Sequence, residues 1–422
     1  MRLFRPAALP LVLVGLVAAA SGEPGGVEEF LRRHWTTPIP AQGPPPAGFS
    51  SVEASLRPEA CGSCHPAQYA DWRTSWHAAA MGPGVLGQVR EMLASAPAQA
   101  LSCLGCHAPL REQAPLARTD EGLRINPVFD ADLLGRGLTC AGCHVRAHQR
   151  FGPPRRDGTL ESPGPRPHLP HGGATRTPAF LASEFCRSCH QFDSNGLALN
   201  GKLLENTYDE WKASRFSREG VQCQDCHMPD RRHLWRGIHD PDMVRVGLTI
   251  TAEADADRYR AGETATVTLR ITSTRIGHAF PTYVTPRVVL AIELVDSGSV
   301  VAGSRVEAVI GREVSLDLSR ELSDTRLHPG QSTSLVYRGR VDRPGLRARA
   351  SVMVYPDAFY TRFFETLIAQ GAGQGAAEIR EALEQTRRSA FSVFEQELPL
   401  SVFSRKDVRP ATPRTGDRPP AR

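Results

Sequence analysis

Residues 61–65 read CGSCH, and the same frame returns as CLGCH at 103–107, CAGCH at 140–144, CRSCH at 186–190 and CQDCH at 223–227. These five stretches use all ten cysteines of the 422-residue chain. An even cysteine count in an exported chain ordinarily means disulfides, and repeated Cys-x-x-Cys ordinarily means zinc. Neither requires a histidine directly after the second cysteine. Covalent haem attachment does require it: two thiols form thioethers to the porphyrin edge, and the next residue offers imidazole to the iron. The pattern therefore calls for five covalently bound c-type haems. Cys61, Cys64, His65, Cys103, Cys106, His107, Cys140, Cys143, His144, Cys186, Cys189, His190, Cys223, Cys226 and His227 bind them, and the five motif histidines are iron ligands.

Five haems within the 167 residues from Cys61 to His227 leave little chain per cofactor. The porphyrins themselves must supply much of the apolar interior, so helices there are expected to be short and sheet largely absent. The 37 glycines and 34 prolines agree with a loop-rich chain, as in PIPAQGPPPAG at 38–48 and the stretch Phe151 to Gly173.

Beyond about Val244 the pattern changes. Val246, Leu248 and Ile250 alternate with polar residues. So do Val267, Leu269 and Ile271, and then Val288, Leu290, Ile292 and Leu294. Period-two alternation reads as half-buried strands. Leu335, Tyr337, Val341 and the run RARASVMVY ending at Tyr355 add further strands, with turns at DSGS and HPGQ. Phe359, Phe363, Phe364, Leu367 and Ile368, then Ile379, Leu383 and Phe391, fit two amphipathic helices able to pack back on the haem region.

The expected fold is α+β and multidomain. A signal peptide (1–20) and a linker (21–58), with one short helix around Val27 to His34, precede a mainly short-helical, loop-rich pentahaem cytochrome domain (59–243). An antiparallel β-sandwich-like domain (244–355), C-terminal helices (356–402) and a disordered tail (403–422) follow. MRLFRP before an uncharged run to Ala20 reads as an export signal, too short to span a membrane, and no later segment supplies a span. Export suits both thiol-linked haem and a periplasmic location, with a cleaved signal and no transmembrane segment in the mature chain. The formal charge of +5 includes Arg2 and Arg5 of the signal. About ten haem propionates would bring the mature holoprotein to roughly −7, which argues against nucleic acid as a partner.

Nine histidines lie outside the motifs. His77, in YADWRTSWH, and His278, in the turn RIGHAFPTYVTPR, are the leading sixth-ligand candidates for iron. His171, His233 and His239 are secondary ones. His34, His148, His168 and His328 read as structural or surface residues. YDEWKASRF at 208–216 partly repeats YADWRTSWH, with Phe216 where His77 stood, so the second copy reads as packing.

The motif run, YADWRTSWH, CQDCHMP, HLWRGIHD and GHAFPT together resemble the cytochrome c-554 family, among the multihaem cytochromes related to hydroxylamine oxidoreductase. The similarity covers roughly residues 59–283. It implies closely stacked haems, periplasmic location and mostly bis-histidine irons, with His77 and His278 at positions that commonly supply distal ligands. The family type has four haems, so five motifs and an added β domain are departures, and no CxxCK motif occurs. The favoured function is electron relay, with redox proteins as donor and acceptor and the cytochrome c maturation machinery as an assembly partner. The alternative is an oxidoreductase with one open haem iron acting on a small nitrogen or sulfur compound, with Tyr283, Arg287 or Tyr69 as proton donors. The relay needs no catalytic residue outside the haems, and the chain reads more as an electron-transfer protein than as an enzyme.

Overall fold

Proline sets the rhythm of the first half. Its fixed φ suits the first helical turn, where its missing N–H costs nothing. Helices accordingly begin at Pro24, Pro58, Pro66, Pro83 and Pro97, in the segments Pro24–His34, Pro58–Gly62, Pro66–Trp72, Pro83–Ser95 and Pro97–His107. The computed structural model describes residues 24–160 and 168–403. The expected signal segment and all but the first residue of the expected tail lie outside the described residues. Among the described residues up to 247 the strands are short, as in the pairs Leu116–Thr119 with Gly122–Ile125 and Ala198–Leu199 with Lys202–Leu203. The Tyr-x-x-Trp repeat is visible as structure. In both copies the third residue after the first aromatic, Trp72 or Trp211, lies in the last turn of a helix, its carbonyl accepting from the Ser75 or Ser214 hydroxyl at 2.7 Å.

Seven longer strands build the second half: β1 (Leu248–Ala254), β2 (Glu263–Ser273), β3 (Arg287–Asp296), β4 (Val306–Ile310), β5 (Ser332–Val341), β6 (Leu346–Tyr355) and β7 (Phe391–Pro399). One sheet runs β5-β2-β1, the other β4-β3-β6-β7, every pair antiparallel. Their facing sides share one core in which Val267, Leu269, Ile271, Leu290, Ile292 and Val352 have no exposure. This is the layered arrangement that the alternation implies.

Three expectations change. Val246 belongs to the helix Pro241–Gly247, because Pro241 at its first position and the Asp240 side chain, accepting from Met243 N–H at 2.8 Å, start a helix there; strand begins only at Leu248. β3 is buried on both faces rather than one. Phe391 opens a strand instead of closing a helix, since residues 391–399 find the free edge of β6 and a paired ladder outweighs weak helical periodicity. The other two expected helices form at Ala358–Ala369 and Ala376–Arg387. The second packs on Pro83–Ser95. Glycines permit that approach: a Cβ at Gly84 would meet Phe364, and one at Gly375 would strike the Gly87 backbone.

The halves are joined through buried charge. Arg326 pairs with Glu210 at 3.0 Å, with side chains 5% and 6% exposed, and donates to Thr282 O. Arg312, 1% exposed, pairs with Glu321 and donates to the carbonyls of Leu199, Lys202 and Leu203.

Candidate functional site

Four motifs lie on helices and the first, at the end of Pro58–Gly62, closes one further turn by His65 N–H donating to Cys61 O at 2.9 Å, which explains their spacing: residues i, i+3 and i+4 share one face of a turn, so both thiols and the imidazole point to the same side. That side is a common apolar cavity of about 2500 Å³, lined by residues of every motif. Ordinary ligand pockets hold about 300–1,000 Å³, so this is no single small-molecule site.

The ten cysteines are unpaired. Thiols from different motifs nonetheless lie beside one another: Cys61 with Cys140, Cys106 with Cys189, and Cys186 with Cys223, in each pair close enough for one thiol to shift the other. Cys143 lies close enough to Cys186 and Cys189 to raise both thiols electrostatically. Burial holds Cys143 itself at about 11.

Facing the motif histidines stand histidines from elsewhere. The ring centroids of His190 and His77 are 6.3 Å apart, those of His227 and His278 6.3 Å, and those of His144 and His233 6.2 Å. Two metal–nitrogen bonds of about 2 Å, plus about 1 Å from each nitrogen to its ring centre, add to about 6 Å, the width of one metal between two imidazoles. His171 lies within electrostatic reach of His65. Burial keeps these rings neutral, the metal-binding form, with His77 at about 3 and His144 and His190 at about 4.

The second ring nitrogen separates two kinds of histidine. Nδ1 donates to a main-chain carbonyl in His107 (Ala80, 2.7 Å), His144 (Phe151, 2.8 Å), His227 (Arg236, 2.6 Å), His278 (Ala279, 2.9 Å), His171 (Gly173, 3.0 Å) and His233 (Arg231, 3.1 Å). Such a bond fixes the tautomer and leaves Nε2 for a metal. His34 and His148 are wired the other way, donating Nε2–H to Cys143 O at 2.8 Å and Gly43 O at 3.0 Å. His77 Nδ1 is buried without a hydrogen-bond partner.

His239 is placed differently from these. Its Nε2 is bonded to Asp357 Oδ1 at 3.0 Å, its ring packs on Trp76 at 4.0 Å, and no motif histidine stands opposite it. His107 consequently has no histidine ring against it, although all fourteen histidines are among the described residues. His168 and His328 are exposed.

Of the residues considered as proton donors, Tyr69 stacks on Trp72 at 5.9 Å and Arg287 is exposed at the start of β3. Tyr283 is half-buried, and its hydroxyl is hydrogen-bonded to His190 Nδ1 at 2.9 Å. It lies beside Glu205, which burial pushes up to about 7. Glu205, Asp357 and Tyr360 escaped the sequence reading because no local pattern marks them. They reach the cavity only through the tertiary fold. One trace of local strain was also invisible in the sequence. His171 has φ 43°, and Asp230, Arg231 and Trp235 beside His233 have φ 58°, 63° and 43°, in the left-handed region that non-glycine residues occupy at a cost.

Paired imidazoles and converging thiols around one apolar void fit haem, and they define a multihaem c-type cytochrome. Residues 60–145 match the family described as cytochrome c554 and c-prime. That stretch holds the first three of the five motifs, and over it the chain is similar to that family of c-type cytochromes. No curated protein matches the sequence. A penta-heme cytochrome c552 from Thermochromatium tepidum is similar in fold, at 17% identity and a TM-score of 0.55 over 83% of this chain and 100% of its own. The sporulation control protein Spo0M of Bacillus subtilis (12% identity, 26% of this chain and 43% of its own, TM-score 0.14) carries no argument about fold. Among the described residues no helix is long and apolar enough to cross a membrane.

Proposed function

We propose that the chain is an exported pentahaem cytochrome that relays electrons, with one haem at each Cys-x-x-Cys-His motif. The observation that carries this reading is the set of opposed imidazoles 6.2–6.3 Å apart, His190 with His77, His227 with His278 and His144 with His233. His171 serves as the partner of His65. Each haem, when bound, supplies a one-electron ferric–ferrous couple. Two imidazoles close an iron to substrate, and a closed iron in a buried row is suited to exchanging electrons with its neighbours. The chain orients the imidazoles through their Nδ1 bonds and excludes water from the faces between them.

The thiol contacts supply an order for the row. The motif ending at His65 adjoins that ending at His144, which adjoins that ending at His190. The motifs ending at His107 and His227 both adjoin the last, which makes the His190 site a junction. Trp235 lies between His77 and His233, 4.5 and 5.1 Å from their rings, and fills the space between two neighbouring sites. Small redox proteins are the expected donor and acceptor, and the expected location is the periplasm.

A second reading is favoured by one observation, the missing imidazole opposite His107. The cavity wall contributed by His239, Asp357 and Tyr360 would then flank an open position for a small nitrogen or sulfur compound. Low-temperature electron paramagnetic resonance of the oxidised holoprotein tests both, alongside a haem count by pyridine haemochrome. The relay requires five haems and at least four low-spin signals; fewer of either sinks it. A fifth, high-spin signal that shifts on adding azide would favour the oxidoreductase at the His107 iron.

A further inference from the structure

Every Nδ1 bond described above for a facing histidine ends on a main-chain carbonyl, except one. His190 Nδ1 is bonded instead to a side chain, the Tyr283 phenol, at 2.9 Å. Tyr283 comes from the loop between β2 and β3, whereas His190 ends the helix Glu184–His190, so the contact joins the two halves of the molecule. Beside the phenol lies the Glu205 carboxyl, close enough to raise it. Glu205 is 9% exposed, and no cation among the described residues pairs with it. Instead the Thr207 hydroxyl and N–H donate to its Oε1 at 2.8 and 3.3 Å. The Thr207 hydroxyl also meets that of Thr282 at 2.9 Å, which holds Glu205 beside the phenol.

We propose that Tyr283 and Glu205 are positioning residues that tune the haem ligated by His190, through a relay from Nδ1–H to the phenol oxygen and from the phenol O–H to the carboxylate. A histidine whose outer N–H leads to a carboxylate is a more basic ligand than one bonded to an amide carbonyl. A more basic ligand favours ferric over ferrous iron, and hydrogen bonding beyond the ligand is one of the levers by which a protein sets a haem potential. The relay therefore lowers the potential of the junction haem relative to what a carbonyl acceptor would give. Electrons arriving there are passed to the neighbouring sites rather than stored. Each reduction moves one electron, supplied by a neighbouring haem or, in a titration, by dithionite, and no bond is made or broken.

This inference rests on the reading that His77 and His190 share an iron, and the experiment separates the two. Spectroelectrochemical titration and low-temperature electron paramagnetic resonance are run on the purified holoprotein and on three variants. His77→Met identifies the junction haem as the one whose potential moves. Tyr283→Phe breaks the relay while leaving the Glu205 side chain in place. In it the ferric–ferrous equilibrium of that same haem is expected to shift about tenfold toward ferrous, about 59 mV for a one-electron couple, with the other haems unchanged. Glu205→Gln is expected to move the same haem in the same direction, together with its g values.

A folded Tyr283→Phe protein with every potential unchanged, or with all haems shifted equally, overturns the proposal. If Tyr283→Phe yields no folded holoprotein, Glu205→Gln decides. A potential that moves without a change in that haem's g values would be charge acting through space, and the relay would be wrong. If His77→Met moves no haem, the His77–His190 assignment fails. If it moves one while Tyr283→Phe moves none, only the relay fails.

Discussion

Production of the chain without haem, by omitting the maturation machinery or replacing all ten cysteines by serine, is expected to unfold one half of the molecule and spare the other. A rigid apolar void costs about 24 cal/mol per Å³, so the 2500 Å³ cavity would cost about 60 kcal/mol if it stayed open. Whole domains are stable by only about 5–15 kcal/mol. Even if four-fifths of the void collapsed or filled with water, about 12 kcal/mol would remain, enough to cancel the stability of the region. The sandwich carries no such debt, because its core between the sheets is filled by its own side chains. Limited proteolysis with mass spectrometry should therefore digest the motif-bearing half and leave a fragment starting near Leu248. The fragment is expected to be nicked within 358–387, whose helices lose their partner Pro83–Ser95, while β7 stays paired with β6. Circular dichroism should keep strand signal and lose helix. Equal protease resistance of the motif region with and without haem would refute the argument.

Three further outcomes are expected. His278→Ala removes the imidazole opposite His227 and should convert one low-spin haem signal to high-spin while the polypeptide remains folded; an unchanged spectrum would remove His278 from the ligand set. Glu210→Gln removes one of the two carboxylates on Arg326, which keeps its bidentate pair with Asp324, and weakens the acceptor of Ala279 N–H and the Thr282 hydroxyl; denaturant titration should show a loss of about 1–3 kcal/mol. Gly375→Ala places a methyl against the Gly87 backbone and should lower stability by about 1–3 kcal/mol, read as a lower unfolding midpoint.

What could be read from the sequence followed from how local each signal is. The haem motifs are complete within five residues, since one helical turn does the geometric work. Strands β2, β3, β5 and β6 announce themselves by alternation because each meets a core over its full length. β7 does not: its burial is partial, and it becomes a strand only because β6 leaves an edge for it. The histidines show the same limit. His77 and His278 stand in distinctive contexts, but what separates His233 from His239 is which ring nitrogen is bonded to what. That depends on Arg231 in one case and on Asp357, more than a hundred residues away, in the other. Tyr283 could be noticed as a tyrosine near a haem, yet its side of the haem is fixed only by the docking of the two halves.

That docking gives the sandwich a reason to exist in an electron carrier. The single loop 274–286 sends His278 toward His227, and five residues on it sends Tyr283 to His190. It is fastened where Ala279 N–H and the Thr282 hydroxyl donate to Glu210, at 3.0 and 2.8 Å. Gly277 lies on Trp211 so closely that a Cβ would come within 3.3 Å of the ring, so bulk there would lift the loop from both sites at once. A loop held at its base by two strands of a filled sandwich has little freedom, and the positions of His278 and Tyr283 are set together rather than separately. The β domain thus acts on two adjoining sites as one rigid part. Any change that loosens the Glu210–Arg326 pair should disturb the sites of His227 and His190 together and leave those of His65 and His144, which this loop does not reach, as they were.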